Sequence, residues 1–412
     1  MSRRFPTPLF LIALLALALG LAGCANEAAA VTPSLEVPAH AEQSAPTVTL
    51  EPTAELPTET PTPTDAPTEE PTPTSAPVGP SDFPPGVNPL TGLPVDDESV
   101  LARRPLIIKV SNQSDEVRPQ SGLSRADHVW MYQAEGFRQT RYAAVYYSQA
   151  PEIVGSVRSA RPIDVDLVEM YDALLAISGA SQDMYRVLME TNWWNRVFRD
   201  DASGHFVRLP DRPNEGIDYY HTLFALPDVL WEHADERNVN GDDADLDGLL
   251  FDATPPEGGT PVEEMSIDYP EYGPRQIWRF DKESGRWLSW TEMQLDRPYE
   301  ATEDVDYNTG EQLAFDNVVI LWIPHFWRPD FIEVPAIDVE MIGEGEAVLL
   351  RDGLRYDVKW RRESPEHLIQ LVDDAGNLVA LKPGTTWFHA ASTEDPFVSP
   401  PDKFVPQVTY VP

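Results

Sequence analysis

Along the first third of the folded sequence, short apolar runs alternate with stretches of helical spacing. "LIIKV" at 106–110 and the segments 129–132, 141–148 and 173–178 carry the branched and aromatic residues of strands. After Pro162, Ile163, Leu167 and Tyr171 recur on one side of a helix, which predicts a helix over 162–171. Further helices are expected at 181–190 and 227–237. Beyond residue 264 the pattern becomes alternation interrupted by tight turns. "VLLRDGLRYDVKW" places Asp352-Gly353 between alternating residues, a strong short hairpin signal. Ser284-Gly285 and Gly376-Asn377 repeat the device. "NVVILWI" at 317–323 is apolar throughout, as in a strand covered on both faces. The expected class is α+β: a mixed α/β N-terminal domain at 87–235, an acidic linker at 236–264, and a mainly antiparallel β C-terminal domain at 265–412.

The amino end sets the expected address. Arg3 and Arg4 precede an apolar run at 9–21 that closes on "LAGC". A basic cap, a short apolar core and small residues before a cut site describe a signal peptide, here 1–23. Cysteine directly after Leu-Ala-Gly is the lipobox pattern, in which the thiol of Cys24 takes a diacylglycerol and becomes the mature N-terminus. Cys24 is the only cysteine, so no disulfide forms within one chain. The expectation is an extracytoplasmic protein joined to the membrane by this lipid. Residues 24–86 are rich in Pro, Thr and Glu, with no Lys or Arg between Arg4 and Arg103. Such composition is expected to be a disordered, extended stalk. The formal net charge of −38 argues against a nucleic-acid partner and against a basic, membrane-hugging surface.

Several stretches resemble the YerB-like lipoproteins. They are "NPLTGLPV" at 88–95, "RPLIIKVSN" at 104–112, "RPQSGLSRADHV" at 118–129, "EGFRQTR" from Glu135 and "GSVRSARPIDVDL" from Gly155. "YDALLAISGAS" from Tyr171, "DYYHTLF" at 218–224, "LRYDVKW" at 354–360 and "LKPGTTWF" at 381–388 complete the set. The resemblance spans nearly everything after the stalk, in order. It implies a lipid anchor and paired N- and C-terminal domains of uncharacterised function, and it supplies no reaction. Ala180 in "ISGASQ" and the acidic insert around Asp243 depart from that pattern.

The candidate chemistry centres on Arg158 and Arg161. They precede a helix opened by Pro162, where free N–H groups and the helix dipole favour an anion. Guanidinium forks suit carboxylate or phosphate. The competing reading pairs them internally with Asp127, Glu135, Asp164, Asp166 or Glu169. Arg141, Asp164 and His221, the last flanked by Tyr219 and Tyr220, complete the expected binding cleft. Its expected ligand is peptidoglycan or another envelope component. Two alternatives use the same features. In an enzyme cleaving peptidoglycan glycan strands, Glu135 would be the acid; in a scaffold, the grooves would contact membrane-bound wall-synthesis proteins. Asp243, Asp245 and Asp247 match the first half of a calcium loop, but Thr254 stands where a bidentate Glu is required. No cofactor or metal motif is otherwise present; most tryptophans are expected in the core, with "TNWWNRVF" expected to turn one ring, of Trp193 or Trp194, outward where it could stack on a sugar.

Overall fold

The computed structural model describes residues 76–412 except 114, 135–138, 202, 242–243, 270–272, 294–300 and 394–404. The signal peptide, Cys24 and most of the stalk lie outside the described residues, as do Glu135 and Asp243.

A short ribbon, β1 (Val87–Asn88) with β2 (Leu93–Pro94), precedes β3 (Leu106–Asn112), β4 (His128–Ala134), β5 (Gln139–Tyr146) and β6 (Val154–Gly155). Then follow α1 (Ile163–Tyr171), β7 (Leu174–Ile177), α2 (Gln182–Glu190), β8 (Val197–Arg199), β9 (Phe206–Arg208), β10 (Leu223–Ala225) and α3 (Pro227–Glu236). The second half adds β11 (Thr260–Pro261), β12 (Glu264–Asp268), β13 (Arg275–Asp281), β14 (Arg286–Glu292), β15 (Thr302–Glu303), β16 (Ala314–Phe315) and β17 (Asn317–Ile323). It continues with β18 (His325–Arg328), β19 (Ala336–Val339), β20 (Gly343–Arg351), β21 (Leu354–Arg362), β22 (Gln370–Val372), β23 (Thr386–Ser392) and β24 (Gln407–Val411).

One large sheet runs β11-β21-β20-β17-β23-β4-β5-β3-β7-β8, with β22 added on β21. Its two halves meet where β23 pairs in parallel with β4, Thr386 opposite His128 and Ala390 opposite Tyr132. A second sheet, β15-β14-β13-β12-β24 with β16 on β14, is antiparallel. The fold is therefore sheet-rich α+β, and its C-terminal part is mainly antiparallel, with β23 parallel to both neighbours. Strand alternation splits the core between two faces. Ile107, Trp130, Val145, Leu175, Val319 and Phe388 join Leu167, Val168, Met184 and Leu188 of α1 and α2. Ile108, Met131, Ala144, Val318 and Trp387 face Leu230 and Trp231 of α3 and Met265 and Trp278 of the second sheet.

Two expectations from composition are corrected. Residues 244–264 are not a solvated linker: Leu246, Leu249 and Phe251 are buried, and β11 joins the large sheet. The stalk also does not extend to residue 86. The Val78 N–H donates to Phe251 O at 2.8 Å and Phe83 meets the Phe251 ring edge-on. In both stretches a few apolar side chains decide the placement.

Candidate functional site around the end of β3

Between residues 155 and 161 the chain is threaded between the carboxyl ends of β3 and β7. Ser111 N donates to Ser156 O, Arg158 N to Lys109 O, and Ser178 N to Arg158 O, at 2.9, 2.9 and 3.1 Å. These two parallel strands cease to pair after Ile108 and Ala176, and the arginine-bearing segment fills the gap. Crevices at the carboxyl ends of parallel strands are common ligand sites because loops and helix starts converge there.

Lys109 lies at the base of this region with its side chain fully buried. Its Nζ contacts Asp164 Oδ1 at 2.5 Å and sits 4.2 Å from the centre of the Tyr132 ring. Burial pushes the Lys109 pKa down to about 8, against the attraction of Asp164. Burial raises that of Asp164, opposed by Lys109. Asp164 also accepts from the Arg161 N–H at 2.7 Å, so a carboxylate of the helix itself occupies the start of α1. The expected anion cradle at this N-terminus is thereby filled from within.

Among the described residues, most of the acids that sequence proximity offered have other partners. Arg161 donates to the carbonyls of Ser159 and Ala160, at 3.3 and 2.7 Å. Asp127 accepts from Asn88, Tyr147 and Ser148. Asp166 pairs with Arg362 at 2.9 Å, and burial lifts its pKa to about 6. Glu169 accepts from Trp193. Gln113 Oε1 accepts from both Arg141 and Arg158, at 3.1 and 2.8 Å. Arg158 is half-buried and Arg141 is buried, with further bonds to Thr140 O and Gln139.

His221 ends the Tyr219–His221 turn. It is 4% exposed, and Ser156 Oγ donates to its carbonyl. Its Nε2 stands 3.8 Å from Glu116 Oε2. Burial, then the charge of Arg158, pushes its pKa down to about 4. Tyr219 and Tyr220 are exposed, with Arg208 4.0 Å and Arg158 5.9 Å from the respective ring centres. Arg141, Arg158, Arg161, Asp164 and His221 thus gather around one strand end. Sequence reasoning missed Lys109 and Gln113, although a lysine inside "LIIKV" is itself a signal of a buried charge.

Other places are less suited. A cleft of about 700 Å³ is lined by Leu93, Asp96, Asp97, Arg125, Glu152 and Asn308. Asp127, at its wall, is already saturated by hydrogen bonds. Asp245 and Asp247 border a smaller cleft with Arg361 and His367. Among the described residues no group of three or more His, Cys, Asp or Glu is arranged to hold a metal. Trp193 is buried and Trp194 half-buried.

Fold and site together define a sheet-rich α+β protein whose two sequence halves share a sheet and whose polar side chains gather at a strand end. Two family models match it: the N-terminal domain of a protein family of unknown function, DUF3048, at residues 90–240, and the C-terminal domain of the same family at 265–388. The chain belongs to this family. It is 26% identical over 304 residues to the Bacillus subtilis (strain 168) protein named "Putative lipoprotein YerB", covering 73% of this chain and 85% of that protein. The crystal structure of B. subtilis YerB matches with a TM-score of 0.59 and 24% identity, over 78% of this chain and 99% of that one. Among the described residues, no helix is long and apolar enough to cross a membrane.

Proposed function

We propose that the chain is an extracytoplasmic lipoprotein, anchored through Cys24, that binds an anionic component of the cell wall, foremost peptidoglycan, around Arg141, Arg158 and Arg161. The carrying observation is that guanidinium groups from two separate segments donate to one neutral oxygen, Gln113 Oε1. Their donor nitrogens are no more than about 6 Å apart. Guanidinium forks converging on one place suit the carboxylates of such a component. The exposed tyrosines beside Arg158 and Arg208 add flat, amphipathic contact surface of the kind enriched where ligands bind. The relative named as a lipoprotein supports the anchor.

The test is retention of the full chain on purified sacculi. Arg158→Ala is expected to lower retention about tenfold while leaving thermal unfolding unchanged; equal retention would remove the site. Release of muropeptides that disappears in Glu135→Gln would replace binding by catalysis.

A further inference from the structure

The cleft of about 700 Å³ beside the β1-β2 ribbon shares no residue with the site at the end of β3, and both halves of the chain build it. The first half supplies Leu93 and Asp96, then Arg125, then Glu152 in the loop after β5; the second supplies Asn308 and Thr385. Hydrogen bonds hold these walls together. Asn308 Nδ2 donates to Ile153 O at 2.9 Å, Gly384 N to Thr91 O at 2.8 Å and Thr386 N to Asp127 O at 3.1 Å. The Asp127 carboxylate accepts from Asn88, Tyr147 and Ser148, so it ties the wall together rather than facing a ligand. A hollow of this size with fixed walls is of the kind that takes small ligands.

The charges around it are mixed and largely unspent. Arg125 is exposed, and among the described residues its guanidinium donates only to the neutral Gln149 Oε1, at 3.2 Å. The side chains of Asp96 and Glu152 are exposed too, with no hydrogen-bond or ion-pair partner among the described residues. Four acids, Asp96, Asp97, Asp127 and Glu152, line the cleft against one cation, Arg125. An anion alone would meet more repulsion than attraction, and a cation alone would leave Arg125 without a counter-charge. A ligand carrying both signs complements the whole set. One guanidinium among carboxylates offsets a single negative charge, which favours a carboxylate over a phosphate dianion.

We propose that this cleft binds a short zwitterionic peptide. The peptide carboxylate pairs with Arg125, and its amino group is drawn to the carboxylates of Asp96 and Glu152. Leu93, 43% exposed, offers apolar contact to a side chain. A free amino acid carries the same two charges, but it is small for a hollow of about 700 Å³ and holds them on either side of one carbon.

Isothermal titration calorimetry at low salt measures the full chain against trialanine, its N-acetyl form, its C-terminal amide and free alanine. Trialanine is expected to bind, with each blocked form about tenfold weaker and free alanine weaker than trialanine. Arg125→Gln should abolish the difference between acid and amide, and Asp96→Asn with Glu152→Gln the difference between free amine and acetyl form. These side chains are exposed, so thermal unfolding should be unchanged; the ligand series on the unaltered chain stands even where a variant fails to fold. No binding of trialanine, equal binding of its three forms, or equal binding of free alanine would overturn the proposal. Arg158→Ala should leave trialanine binding intact. If it abolishes that binding while Arg125→Gln does not, the peptide belongs at the end of β3 and this cleft is no site. Retention on sacculi that is indifferent to Arg158 removes the earlier reading and leaves this one standing.

Discussion

Lys109 and Asp164 show at the scale of single residues why an acid's partner is hard to read from its neighbours. Asp164 stands three positions from Arg161, yet its side chain turns to a lysine 55 residues earlier, and Asp166 turns to Arg362. Helix geometry decides this, because residues two apart leave a helix in different directions. Residue type and position at element ends singled out Arg141, Arg158, Arg161, Asp164 and His221 as candidates, and these gather near one strand end; the direction of each contact was not legible. For the buried pair a double-mutant cycle has a definite expectation. Lys109→Met leaves a carboxylate buried without its cation and should destabilise the protein by about 3–5 kcal/mol. Lys109→Met with Asp164→Leu removes both charges and should recover more than half of that loss. About 1 kcal/mol is expected to remain, because the Arg161 N–H loses its acceptor at the start of α1. Urea denaturation measures all four corners, and strictly additive losses would mean that the two charges do not depend on each other.

Elements were legible where the local pattern was regular. The expected helices at 162–171, 181–190 and 227–237 are α1, α2 and α3 to within a residue. The strand at 317–323 is β17, and Asp352-Gly353 turns β20 into β21 with both φ values positive. Gly376-Asn377 also turns, with Val372 and Leu378 bridged across it, while β22 itself pairs with β21. Small elements held by side chains were not legible, and the three-stranded sheet β6-β10-β9 is one. His205, just before β9, meets His233 of α3 with their Nδ1 atoms 3.0 Å apart, while its Nε2 faces Arg199 O at 3.1 Å. With the Nε2 proton directed at that carbonyl, His205 Nδ1 must accept from His233. Burial lowers the His205 pKa, opposed by the Arg199 carbonyl and Asp201 and reinforced by His233 and Arg237. A histidine with a depressed folded pKa contributes stability that is present above its unfolded value of about 6.5 and lost as pH falls through the folded value. Amide exchange of residues 206–208, corrected for intrinsic rate, should therefore quicken several-fold from pH 7 to pH 5. In His205→Phe that acid sensitivity should disappear, and its persistence would place the titrating group elsewhere.

At the scale of the whole molecule the sequence pointed to two domains, because its composition changes near residue 236 and the pattern switches from mixed to alternating. Composition reports how each stretch meets solvent, but it is silent on which distant strand a strand selects. Here β4 of the first half and β23 of the second lie side by side in parallel. Trp130 stacks on Phe388 with ring centroids 4.5 Å apart. Asp304 of the second half accepts from Gln276 and Thr291 and pairs with Arg118 of the first at 3.3 Å. Asp306 accepts from the N–H groups of Gly122 and Ser124. Unfolding either half alone would expose the edge of a central strand and strand these buried polar groups, so the halves should melt together. Native-state hydrogen exchange across a urea series should give one common midpoint for peptides covering β3, β5, β13 and β14. Phe388→Ala, which opens a cavity at the junction, should lower stability by about 3–5 kcal/mol and move the midpoint of both halves equally. If only peptides of the second half shift, the two segments are separate cooperative units despite the hydrogen bonds that join them.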